Sequence, residues 1–127
     1  MDYGLTPELE QFRKEVREFV ETHKPDVPVK AGVRSADDAD ELAVLKEWTR
    51  TLFEAGYIGA DWPERYGGAG AAHSPEKDVV VGEELARGRA PAAVQGAGLL
   101  VAHALIDFGT EEQREKYLPG IRSGELV

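Results

Sequence analysis

The sequence predicts an all-α protein, an up-and-down bundle of about five helices, on three observations. Apolar residues recur at three- and four-residue spacings along several long segments, the period of one helix face. No interval shows the two-residue alternation of a half-buried strand. Helix-start signals occur at Thr6-Pro7, at Ser74-Pro75 and at Thr110 with Gln113 three residues on, each pairing a hydroxyl cap with a proline or a capping-box partner.

The first helix opens at Thr6-Pro7, carries its apolar stripe on Leu9, Phe12, Val16, Phe19 and Val20, and stops at Lys24-Pro25. Its polar face offers Glu10–Lys14, Lys14–Glu18 and Arg17–Glu21 at four-residue spacing, pairs worth a few tenths of a kcal/mol each. A longer loop, Pro25 to Ala36, leads to a second helix with Ser35 as its expected cap. Asp37, Asp38, Asp40 and Glu41 lie near its positive end, Leu42, Leu45, Trp48, Leu52 and Phe53 form its stripe, and Gly56 stands where a left-handed cap belongs. Gly59 to Gly70 is a glycine-rich turn region holding Trp62, expected to pack. The third helix runs from Ser74-Pro75 through Val80, Leu85 and Ala86 to about Ala90-Pro91. The fourth, about Ala92 to Phe108, is apolar on nearly every side, so it is expected at the centre of the bundle, surrounded by protein. Gly109 ends it, and a short fifth helix is expected to close around Leu118-Pro119.

The 127 residues suit one domain, 1–127. A net charge of −9 opposes binding to nucleic acid or anionic membrane. The uncharged segment 90–106 is barely long enough to span a bilayer and contains Gln95 and His103, so a buried core helix is the better reading. There are no cysteines, which removes thiolate chemistry and Cys-based zinc sites. The chain shows no secretory signal, and a cytoplasmic location is expected.

Chemistry within the chain reads as negative: no catalytic residue, no cofactor-binding residue and no metal site is assigned. Gly67-Gly68-Ala69-Gly70 lacks the strand, helix and spacing of a phosphate loop and is read as a turn with positive φ. His23, His73 and His103 form no metal-binding pair, and His103 is expected as a hydrogen-bonded core residue. Glu83-Glu84 lacks the E-x-x-H partners of a di-iron bundle and is read as a pair of solvated carboxylates.

Two stretches carry a specific likeness. Leu52 to Gly68, with Gly56-Tyr57-Ile58-Gly59 and then Trp62-Pro63-Glu64-Arg65-Tyr66-Gly67-Gly68, resembles the acyl-CoA dehydrogenase pattern of G-(aromatic)-x-G followed by W-P-x-x-(Y/F)-G-G. Phe108 to Pro119, followed by Ser123-Gly124-Glu125, resembles that family's G-(T/S)-x-x-Q-(K/R)-x-(K/R)-(Y/F)-L-P…G-E. The likeness covers about Leu5 to Val127.

The resemblance implies the helical N-terminal domain of a flavoprotein whose middle β-barrel and C-terminal four-helix domains lie outside this chain. FAD, the base that removes the α-proton of an acyl-CoA thioester, and the E-P-x-x-G-S-D flavin-proximal segment would all belong there. This chain alone is therefore expected to be an inactive fragment that binds no FAD. The whole enzyme would take acyl-CoA, pass electrons to electron-transferring flavoprotein, and form a homo- or hetero-oligomer. In the family the fourth helix lines the far end of the acyl pocket, which, mapped from Gly109, nominates Ala93, Gly96, Ala97 and Leu100, with Gln95 beside them. Medium-chain members carry larger or charged groups near the Gly96 position, so small residues here imply room for long, branched or polycyclic acyl groups. Gly96 and Gly98 each cost about 1 kcal/mol against alanine in a helix interior, which open space or close helix packing would offset. The alternatives are a free-standing helical interaction module and a non-catalytic subunit of a hetero-oligomeric dehydrogenase.

Overall fold

The computed structural model describes residues 4–27, 36–66, 68–72, 74–91 and 96–126. They form helices α1 (Pro7–His23), α2 (Ala39–Glu54), α3 (Pro75–Arg87), α4 (Gly96–Phe108) and α5 (Glu111–Ser123), with a 3-10 turn at Glu64–Tyr66. No strand occurs among the described residues, so the all-α class holds.

The helix starts follow their capping chemistry. The Leu9 amide donates to Thr6 Oγ1 at 3.3 Å and the Lys77 amide to Ser74 Oγ at 3.4 Å, each satisfying one of the free N–H groups of a first turn. At α5 the capping box closes both ways: Gln113 N to Thr110 Oγ1 at 3.2 Å, and Thr110 N to Gln113 Oε1 at 3.0 Å. Helix α2 departs from expectation. Its cap is Asp38, whose Oδ1 accepts from the Glu41 amide at 2.8 Å; Ser35 lies outside the described residues. Its end is as expected: Gly56 takes φ +80°, with Gly56 N bonded to Phe53 O and Tyr57 N to Leu52 O, the paired bonds of a Schellman turn.

Helix α5 is longer than expected, because Pro119 lies inside it. Proline removes one backbone donor and weakens a helix interior. Here Leu118 and Ile121 on either side are both buried in the core, and tertiary packing overrides the local break.

Two apolar clusters form the core, and α2 serves both. Trp48 and Leu52 join Val16 and Val20 of α1 and Val81 and Leu85 of α3. Phe53 joins Trp62, Tyr66, Ala102 of α4, and Leu118 and Ile121 of α5. Trp48 Nε1 donates to the Pro91 carbonyl at 2.7 Å, so both tryptophans are packing residues. The central helix is thus α2, with α1 and α3 on one side and α4 and α5 on the other. The expectation of a central α4 fails: its outer residues Leu100, Val101 and Phe108 are exposed.

The α1–α3 seam also revises the charge reading. Glu84 is buried, 1% exposed, not solvated. The Arg17 guanidinium grips it with two bonds of 2.9 Å, and Arg13 adds one of 2.8 Å while reaching Glu83 at 2.6 Å. Arg17 thus crosses to α3, and its expected partner Glu21 stands 3.7 Å from Arg87. The arginines hold the Glu84 carboxyl down at about 2 against the opposing effect of its burial. No helix among the described residues is long and apolar enough to cross a membrane.

Candidate functional site

The candidate pocket wall is α4, and its faces follow from one hundred degrees of rotation per residue. Ala102 is fully buried, and Leu105 and Ile106 are partly buried beside it in the second cluster. On the opposite side Leu100, Ala104 and Phe108, four residues apart, make an outward stripe, with Val101 next to it. Leu100 is 75% exposed, Val101 51% and Phe108 89%. His103 and Asp107 are exposed along the same flank; His103 is therefore not a core histidine.

Of the nominated residues, Leu100 stands on this outward face. Gly96 and Ala97 are the first two residues of α4, four and three positions before Leu100, which puts their backbone positions on its side of the helix. Ala93 and Gln95 lie outside the described residues. Val101, Ala104 and Phe108 share the outward face without having been nominated, although the apolar residues at 100, 104 and 108 have the spacing of one helix face.

What holds α4 in place joins the two sequence stretches singled out above. Arg114 of α5 donates from Nε to the Leu105 carbonyl of α4 at 2.9 Å. Its Nη1 is 3.7 Å from Glu111 Oε2. Glu111 also accepts the Tyr66 hydroxyl at 2.8 Å and forms an ion pair with Arg65, whose guanidinium lies 5.1 Å from the Tyr66 ring centre. Trp62 packs edge-on against Phe53, and a side chain at Gly68 would collide with the Trp62 carbonyl, 2.1 Å from its Cβ. The tryptophan–glycine turn and the start of α5 are thus one structural unit. Its contacts tie the turn, α5 and α4 together.

Elsewhere, a cavity of about 130 Å³ lies between Phe12, Tyr57, Asp61, Lys77 and Asp78. Burial, with the Glu15 charge adding to it, pushes the Tyr57 hydroxyl pKa up. The cavity is smaller than the several hundred Å³ of an ordinary cofactor site. No cluster of metal-ligating residues occurs among the described ones.

The sequence model of the family "Acyl-CoA dehydrogenase, N-terminal domain" matches residues 6–125. The chain belongs to the acyl-CoA dehydrogenase family. Glutaryl-CoA dehydrogenase from Desulfococcus multivorans is 34% identical over 131 residues, spanning 100% of this chain and 32% of the relative. Two solved structures match along 100% of the chain. The ChsE4–ChsE5 complex from Mycobacterium tuberculosis does so at 27% identity, with TM-score 0.69 and 30% of that chain covered. The Tcur3481–Tcur3483 steroid ACAD does so at 30% identity, with TM-score 0.67 and 32% covered. The chain therefore spans about a third of the length of the acyl-CoA dehydrogenases it matches, and what it shares with them is the helical domain.

Proposed function

We propose that this domain forms one wall of the acyl pocket in a flavin-dependent acyl-CoA dehydrogenase, with Gly96, Ala97 and Leu100 of α4 against the acyl chain and Ala93 and Gln95 extending that wall. The observation that carries the reading is the outward stripe of α4, apolar and exposed among the described residues, in a domain of the acyl-CoA dehydrogenase family. About 25 cal/mol is gained per Å² of such surface removed from water, so a hydrocarbon chain along it binds favourably.

Bound elsewhere in the whole protein, FAD would supply a hydride acceptor for the β-hydrogen, and this chain's residues would bind and orient the acyl group and exclude water from it. Electron-transferring flavoprotein would be the onward electron acceptor. Absence of a side chain at Gly96 favours a wide pocket that admits long, branched or polycyclic acyl groups. The likeness to a steroid ACAD agrees with that choice. A second reading, a subunit of a hetero-oligomeric dehydrogenase, is favoured by the two-component names of both matching solved structures.

The test is the whole protein that carries this chain, purified alone and with any co-purifying partner. Flavin absorbance, and oxidation of bulky acyl-CoAs in preference to butyryl-CoA, is the expected result. Preference for butyryl-CoA removes the wide pocket. Absence of flavin and turnover in both preparations removes the dehydrogenase reading and leaves a free-standing interaction module.

A further inference from the structure

We propose that Arg114 is a positioning residue for the acyl pocket: it fixes the C-terminal half of α4 to α5 and, through Glu111, to the tryptophan–glycine turn, so that acyl selectivity depends on a side chain outside the pocket wall. The inference rests on the reading of α4 given above.

Among the described residues α4 runs closest to α5. Its apolar contact is Ala102, Leu105 and Ile106 in the cluster with Leu118 and Ile121 of α5, Phe53 of α2, Trp62 and Tyr66, and such contact is non-directional. It leaves rotation and sliding of α4 weakly specified. Direction comes from the bond between Arg114 Nε and the Leu105 carbonyl. That oxygen already accepts the Gly109 amide at 2.9 Å, and a carbonyl has a second lone pair for the guanidinium. Leu105 belongs to the last turn of α4, the negative end of its dipole, where a cation is stabilising. Helix α4 has no basic residue of its own there; α5 supplies one.

The guanidinium is itself held from behind. Glu111 lies beside Arg114 and is bonded to Tyr66 and paired with Arg65. At the far end of α5, Lys46 Nζ of α2 donates to the Glu125 carbonyl at 2.9 Å. The helix that carries Arg114 is therefore tied at both ends to the rest of the domain. Letting a pocket wall move weakens binding of the acyl group in ground and transition states alike, which raises KM and leaves kcat; this is why the tie matters for the acyl group.

The experiment compares the whole protein with its Arg114→Met and Arg114→Lys variants. Arg114→Met keeps the apolar stem and removes the donor. The expected result is a KM for bulky acyl-CoAs raised about five-fold, the factor of one ordinary hydrogen bond, with kcat within about two-fold of the parent. Hydrogen exchange is expected to quicken at the amides of residues 104–109 and to stay unchanged in α1, α2 and α3. Arg114→Lys, which meets the Leu105 carbonyl or Glu111 but not both, is expected to recover part of each effect. A competent parent whose variants keep its KM profile, or whose exchange quickens equally everywhere, overturns the proposal alone. A parent that neither binds nor oxidises acyl-CoA overturns the underlying reading, and the proposal falls with it.

Discussion

Helices α1 and α3 meet around a carboxylate that is almost wholly shielded from water and gripped by two arginines. Helix α4, on the other side of α2, turns a leucine, a valine and a phenylalanine outward with no described neighbour over them. The first seam is finished by residues of this chain. A buried carboxylate without partners costs several kcal/mol, and the matching arginines come from α1 itself. Helix α4 is finished on its inner side, against α5, Phe53 of α2 and the tryptophan turn. Both sides use the same helix chemistry; the difference is that described residues cover the first seam and leave the outer face of α4 exposed, which on the function proposed above separates a structural seam from a pocket wall.

Breaking the finished seam has the largest expected effect. Glu84→Gln removes the negative charge while preserving shape and is expected to destabilise the domain by about 3 kcal/mol at neutral pH. The pH dependence has a definite sign. The folded-state pKa of Glu84 is depressed to about 2 from the ordinary 4.5, so its contribution is fully present above about pH 5 and fades as pH falls through 2. Urea unfolding of parent and variant at several pH values should show a gap that narrows across that window. A constant gap would mean the ion pairs contribute nothing.

That seam was also the least legible part of the sequence. The caps of α1, α3 and α5 and the apolar stripes of α1, α2 and α3 could be read because each depends on residues a turn apart. Glu84 and Arg17 are sixty-seven positions apart, and four-residue spacing offered Arg17 a nearer but incorrect partner in Glu21. Pro119 misled for the same reason: its effect on α5 is local, while the burial of Leu118 and Ile121 that outweighs it comes from other helices. The candidate wall was readable as a helix and as an apolar element. Its placement at the centre failed because an all-round apolar helix signals burial without saying whether the covering residues belong to the same set of helices. Leu100 came from family likeness; the spacing of Ala104 and Phe108 put them on the same helix face, but not that this face is the outward one.

A smaller effect sharpens the seam at its end. The last turn of α3 puts Gly88 against α1, where an added Cβ would lie 2.7 Å from Val20 Cγ1. The left-handed position of the turn then falls to Arg89, at φ +55°, a conformation that costs a non-glycine residue about 1 kcal/mol. Arg89→Gly is expected to stabilise by about that amount, and Gly88→Ala to destabilise by about 1–3 kcal/mol through the clash. Thermal unfolding checks both; equal effects of the two substitutions would mean that contact with Val20 does not decide where the glycine stands.

The smallest expected change in stability belongs to the open face. Phe108 is exposed and belongs to neither core cluster, so Phe108→Ser should alter unfolding free energy by no more than about 0.5 kcal/mol. Its effect should appear in association instead. The stripe of Leu100, Val101 and Phe108 is the kind of contiguous apolar surface that drives self-association when uncovered, and a serine at its end shortens that stripe. Sedimentation of the 127-residue chain at high concentration should show the parent associating and the variant shifted toward monomer. If instead the serine costs as much stability as Glu84→Gln, α4 is held by contacts of its outer face, and the contrast between a closed seam and an open wall is lost.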